Sequence, residues 1–153
     1  MDRDNPGVIA PPPLIYAGTF LLGYLIHWKY PFPLLPVEVS PFIGWPLIGL
    51  SGLLVISGMW VMKHAGTHID PYKPTMALVV DGPFRFTRNP LYLSLTLLYS
   101  GTALLLNLLW VVLLLPIALV IMQFGVISRE ERYLEKKFGQ EYLRYKTRVR
   151  RWV

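Results

Sequence analysis

The chain contains no cysteine and little charge. Without a single Cys among its 153 residues, disulfides, thiolate nucleophiles and thiolate metal sites are excluded together, while the redox compartment stays open. Only 16% of the residues are charged, against about a quarter in an ordinary soluble domain, which disfavours a water-soluble globule and most soluble enzyme folds with it. Acids are scarcest: nine Asp and Glu face fifteen Lys and Arg, for a formal net charge of +6. Such a balance suits nucleic acid, an anionic membrane surface or an acidic ligand. Also missing are a P-loop, a dinucleotide glycine fingerprint, GxSxG and HExxH. The basic tail lacks the interleaved aromatics of a nucleic-acid module, so nucleic acid is not an expected partner. No internal repeat or low-complexity segment divides the chain, and residues 1–153 read as one domain.

What is abundant is apolar: 54% of the residues are hydrophobic. A bilayer core about 30 Å thick needs about 17 to 25 apolar residues in helical form, and three tracts qualify. The first, about 11–28, is uncharged behind Pro11-Pro12-Pro13 and ends in the interfacial belt His27, Trp28, Lys29 and Tyr30. It opens on Met1-Asp2-Arg3-Asp4 rather than on a basic region and closes on bulky aromatics, so a span is expected rather than a cleaved signal. The second, about 42–62, is uncharged and carries Gly44, Gly49, Gly52, Ser57 and Gly58, small residues that let helix backbones approach closely. The third, Leu91 to Ser128, holds 38 residues without a charge, about 57 Å as a helix and nearly twice the core thickness. A hairpin of two helices, about 91–106 and 108–127, is expected, turning at Asn107, with Pro116 kinking the second.

Four such spans put the N-terminal arm, the second loop and the tail on one side. Arg3, Lys63, Lys73, Arg85, Arg88 and nine tail cations then share it, fourteen of the fifteen, leaving Lys29 opposite. The positive-inside rule makes that side cytoplasmic, with both termini there, as in a prokaryotic inner membrane. In the tail, Leu134, Phe138, Tyr142, Tyr145 and Val149 recur at spacings of three and four, with Arg132, Lys136, Arg144 and Arg148 opposite. This predicts amphipathic helices, divided at Gly139, that contact anionic lipid.

The polar chemistry lies in two clusters on that side: Lys63 to Asn89, and Ser128-Arg129-Glu130-Glu131-Arg132-Tyr133. The hairpin should bring Asn89-Pro90 and Glu130-Glu131 to one depth. Asn89 and Pro90 suit the N-cap and first position of a helix. The same helix N-terminus, flanked by Arg85 and Arg88, also suits a carboxylate or phosphate. Glu130 and Glu131 are costly at a membrane boundary unless solvated or paired, with Arg129, Arg132 or a second-loop cation as the simplest partners. Adjacent helical positions point about 100° apart, so one glutamate can face a ligand's ammonium or ribose hydroxyls while the other fixes an arginine. His64 and His68 stand four apart, a spacing that can hold a metal. Gly66 intervenes and no third ligand follows, so interfacial histidines are expected and no metal.

Taken jointly, Leu78-Val79-Val80-Asp81-Gly82-Pro83-Phe84-Arg85-Phe86-Thr87-Arg88-Asn89-Pro90-Leu91-Tyr92-Leu93, the uncharged hairpin, Glu130-Glu131 and Phe138-Gly139-Gln140-Glu141-Tyr142-Leu143-Arg144-Tyr145 resemble the isoprenylcysteine carboxyl methyltransferase and phospholipid methyltransferase superfamily. The resemblance spans residues 76–149. It implies an all-α integral-membrane methyltransferase that binds S-adenosylmethionine at the cytosolic face. Arg88, Asn89, Pro90, Tyr92, Glu130 and Glu131 would enclose the cofactor, with Thr87 and the turn through Val79, Gly82 and Pro83 beside it. Arg88 and Glu131 are the candidate catalytic pair and His68 the candidate substrate contact. Asn89 stands where the prenylcysteine branch carries His, and Ser94 where many members carry Gly. The spans hold no Arg or Lys to orient a prenylcysteine carboxylate. The expected acceptor is a lipophilic or membrane-permeant thiol, carboxylate or amine. The alternatives are a membrane reductase of the steroid-reductase type, which would bind a nicotinamide cofactor, and a non-enzymatic membrane scaffold.

Overall fold

The computed structural model describes residues 4–152. Arg3, counted above with the N-terminal arm, lies outside them. The described residues are helical with no strand: α1 Pro12–Lys29, α2 Ser40–His64, a short 3-10 turn Gly82–Arg85, α3 Pro90–Leu105, α4 Leu109–Met122, a π turn Gln123–Ile127, α5 Ser128–Phe138 and α6 Gln140–Arg148. Each expected apolar segment is a helix, and α2 runs two residues further at either end. Pro46 and Pro116 both lie inside helices.

Two helical runs are long and apolar enough to cross a membrane, α2 and the continuous run Leu109–Phe138 made by α4, the π turn and α5. Helix α3, at 16 residues, rises about 24 Å and is short for a core about 30 Å thick.

Small residues set how the helices meet. Helix α2 packs along α3, and α1 along α4. A Cβ on Gly44 would stand 2.9 Å from the Gly101 carbonyl oxygen and 2.8 Å from Leu105 Cβ, and one on Gly101 would stand 2.9 Å from the Gly44 carbonyl oxygen. The two backbones therefore touch where both lack a side chain. Ser51 donates to the Ser94 carbonyl at 2.7 Å further along the same seam. Gly49 and Gly52 face open space, so the glycine density of α2 serves packing at only part of its length. Because the Gly44 carbonyl and the Leu47 and Ile48 side chains stand in the way, Gly101→Leu is expected to cost about 2 kcal/mol or more. Thermal unfolding in detergent checks this against Gly49→Leu as the neutral comparison.

The hairpin turns where Asn107 was expected to turn it. Asn107 has φ +57°, the left-handed region that Asn tolerates. Its side chain accepts from the Leu34 and Leu35 backbone N–H groups at 2.7 and 2.9 Å and donates to the Leu35 carbonyl at 2.7 Å, tying the α1–α2 connection to the hairpin.

Gly139, at φ +52°, divides the tail as expected. Tyr142 and Tyr145 are buried, while Arg132, Lys136, Arg144 and Arg148 are exposed. One interruption has no counterpart in the hydrophobic pattern. The π turn Gln123–Ile127 adds a residue to the helical ladder and so re-aims everything after it, including Glu130 and Glu131. Its Gly125 receives the N-terminal arm: the Ile9 N–H donates to the Gly125 carbonyl at 3.2 Å, and Ile9 occupies the space a Cβ would need.

Candidate functional site

A cleft of about 860 Å³, including its open mouth, lies where α2 ends and α3 and α5 begin. Each wall has a local cause. Pro90 opens α3 at its first position, with no N–H to leave unsatisfied. Thr87, 2% exposed, donates its hydroxyl to the Arg151 carbonyl at 3.1 Å and accepts from the Asn89 N–H at 3.2 Å. The Arg88 N–H donates to the Arg150 carbonyl at 3.0 Å. The Thr87-Arg88-Asn89 segment is thereby fixed from behind by the chain's last turn, and the Arg88 side chain lines the cleft.

Asn89 occupies the N-cap position without capping through its side chain, contrary to what its residue type predicts. Its Nδ2 donates to the Arg151 carbonyl at 2.9 Å, which ties the side-chain amide to the tail. Gly82 and Pro83 lie outside the cleft lining; Gly82, at φ +58°, packs on Val61, and Pro83 lies near Gly58. Arg85 also stands apart from the cleft and pairs with Asp81 at 2.8 Å on the exposed surface. Val79, Arg88, Asn89, Pro90, Tyr92, Glu130, Glu131 and His68 all line it, and Thr87 supports it from outside.

The glutamates divide as their angular offset requires. Glu131, 6% exposed, accepts two hydrogen bonds from Arg151 at 2.8 and 2.6 Å and lies 3.2 Å from Arg88 Nη1. Arg88 is thus the anticipated second-loop partner, whereas Arg151 was not among the partners the sequence suggested. Among the described residues no cation stands within ion-pair distance of Glu130. It accepts the Tyr92 hydroxyl at 2.5 Å. Burial pushes its carboxyl from 4.5 up to about 7; the Tyr92 hydrogen bond works the other way and the Glu131 charge adds to the rise. Burial also pushes the Tyr142 phenol up to about 12, with the Glu131 charge adding to it.

Tyr133, Tyr142 and Tyr145 complete the wall. In the sequence Tyr133 stood in the second polar cluster and Tyr142 and Tyr145 in the apolar stripe and the resembling segment, none with a site role; for the last two the signal was a hydroxyl on a buried stripe, since a buried phenol needs a partner. Tyr145 donates to the Phe84 carbonyl at 2.7 Å and Tyr133 to Asp4 at 2.8 Å, while the Thr75 N–H donates to the Tyr133 oxygen at 3.2 Å. Asp4 also pairs with Lys137 at 2.8 Å, which pins the N-terminal arm across α5 and brings Pro6 to the cleft. His64 points elsewhere: its ring packs on Trp60 at 4.0 Å and its Nδ1 lies 2.8 Å from the Trp60 carbonyl. Among the described residues no cluster of His, Asp and Glu has metal-site geometry.

A model of the phospholipid methyltransferase family matches residues 39–141, from the start of α2 through the first residues of α6. An uncharacterized protein of Haemophilus influenzae is 52% identical over 65 residues, 41% of this chain and the whole of that protein. No solved structure matches.

Proposed function

This chain belongs to the phospholipid methyltransferase family, and on that premise we propose that it transfers the methyl group of S-adenosylmethionine to a lipophilic or membrane-permeant thiol, carboxylate or amine at the cytoplasmic membrane face. The observation that carries the proposal is the unequal use of two adjacent glutamates. Glu131 is held by two arginines, while Glu130, without a cation among the described residues, lines the same cleft as an Arg88 whose Nε and Nη1 are buried without a hydrogen-bond partner. An acid without a described cation and an arginine with unused N–H groups in one cleft suit a zwitterionic ligand.

S-adenosylmethionine, when bound, supplies a methyl group on a positive sulfur, and its amino-acid end carries an ammonium and a carboxylate. Glu130 suits the ammonium or the ribose hydroxyls. Arg88 and the N-terminus of α3 suit the carboxylate. Leu78, Val79, Phe84, Leu91 and Leu134 give the cleft apolar walls. In-line displacement asks mainly that a nucleophile be held about 3 to 3.5 Å from the methyl carbon, so the chain's task is positioning. We assign His68, exposed on the cleft wall, to the acceptor side, and Glu131 to holding Arg88.

The surface supports crossing of the bilayer by all four apolar helices, termini inward. Leu21, Leu22, Phe42, Leu53, Ile56, Leu98, Leu113, Ile117 and Val120 are exposed along them, an apolar exterior that water would penalise and lipid would not. A water-soluble cofactor and a membrane-dissolved acceptor would meet at such a boundary. Isothermal titration of the detergent-purified protein with S-adenosylhomocysteine is expected to show binding, weakened at least about tenfold by Glu130→Ala and by Arg88→Met. Absence of binding, or binding indifferent to both substitutions, would sink the proposal.

A further inference from the structure

The chain's last turn holds an arginine to which the sequence pattern gave no role. Arg151 meets Glu131 fork on fork, Nε to Oε1 at 2.8 Å and Nη2 to Oε2 at 2.6 Å. Arg88 Nη1 lies 3.2 Å from the same Oε1 without hydrogen-bond alignment. The better-paired cation is also the more exposed: the Arg151 side chain is 35% exposed, that of Arg88 9%. A carboxylate shared between two guanidinium groups would be expected to give its best directions to the buried one, where an unused N–H costs most. Here the arrangement is reversed, and the unused N–H groups belong to a residue lining the cleft.

We propose that Arg151 is a positioning residue: by holding Glu131 in a two-bond clasp it keeps Arg88 free to receive an anionic group of the ligand. Resting on the function proposed above, that group is the carboxylate of the cofactor. The tail backbone acts in the same sense. The carbonyls of Arg150 and Arg151 receive the Arg88 N–H, the Thr87 hydroxyl and the Asn89 amide, so the residue that draws Glu131 away also fixes the segment carrying Arg88. Without the Arg151 side chain, Glu131 has Arg88 as its one remaining close cation among the described residues and turns fully to it, closing the receptor from within.

The test uses the full chain in detergent and two probes: S-adenosylhomocysteine, and methylthioadenosine, which lacks the amino-acid end. Arg151→Met is expected to weaken S-adenosylhomocysteine about tenfold and methylthioadenosine less than about twofold. Arg151→Lys keeps a charge without the fork and falls between; it carries the same comparison if Arg151→Met does not fold. In an Arg88→Met background Arg151→Met adds nothing, because the group it frees is gone. Equal weakening of both probes, as a loosened fold would give, overturns the proposal, and so does unchanged S-adenosylhomocysteine binding. A second measurement needs no nucleotide: phenylglyoxal labelling of Arg88, followed by mass spectrometry, is expected to slow in Arg151→Met as the carboxylate pairs with Arg88, and an equal or faster rate overturns the clasp. Wild-type protein that binds neither probe refutes the cofactor assignment, and the labelling rates still decide the role of Arg151.

Discussion

Replacing Glu131 with Ala is expected to lower the melting temperature in detergent by on the order of 10 °C, the equivalent of about 3–5 kcal/mol. Glu131 is the sole carboxylate within ion-pair distance of both Arg88 and Arg151 among the described residues. Its removal strands one guanidinium 9% exposed and another 35% exposed, and breaking a buried pair from one side costs far more than the pair was worth. The loss propagates, because the carbonyls of Arg150 and Arg151 hold the Arg88 N–H and the side chains of Thr87 and Asn89. Asp81→Ala supplies the contrast. It breaks an ion pair of similar length, but the side chains are 70% and 67% exposed, so about 0–1 kcal/mol is expected. A Glu131→Ala protein that melts with the wild type would show that the clasp holds nothing together.

Most of the frame was legible because the signals were long and redundant. Apolar tracts of membrane length fixed the four helices, and the uncharged run from Leu91 to Ser128 was too long to be one, so Asn107 had to turn it. The acidic pair's division also followed from helix geometry: neighbours about 100° apart cannot share a task, and Glu131 took the arginines while Glu130 took the cleft. What escaped was local or distant. The π turn leaves no trace in an uncharged stretch, since the hydrophobic pattern around Gln123 to Ile127 fixes no register. Arg151 lies 20 residues from Glu131 and 63 from Arg88, and in a tail of nine cations nothing in its spacing separates the one that turns inward. Asn89 carried a strong local preference for capping, yet its side-chain amide is tied to the Arg151 carbonyl and makes no cap. Arg85, three residues before Arg88, looked equivalent to it in sequence, yet the 3-10 turn Gly82–Arg85 aims it at Asp81 and solvent.

Binding of S-adenosylmethionine is expected to tighten as pH rises from about 5.5 to 7 and then to level off, at about tenfold per pH unit on the acid side, through Glu130. Its carboxyl sits at about 7 in place of 4.5 because it is buried, with the Glu131 charge adding to the shift and the Tyr92 hydroxyl opposing it. The sign follows from linkage. Between 4.5 and about 7 the folded protein holds a proton that the unfolded chain does not, so stability falls as pH rises across that window, and the ionised carboxylate above it is the unfavourable form. An ammonium entering beside Glu130 stabilises that form, so at acid pH the ligand must expel a proton to bind. Titration in two buffers of different ionisation heat, at a pH near 6, should therefore show release of up to about one proton per ligand. Arg88, His68, Asp70 and the phenols of Tyr133, Tyr142 and Tyr145 face the same cleft. Two variants separate the contributions: Glu130→Gln should bind weakly with no slope, whereas His68→Gln should keep the slope. A Glu130→Gln protein that retained the acid-side slope would move the proton elsewhere and leave the ammonium without its counter-charge.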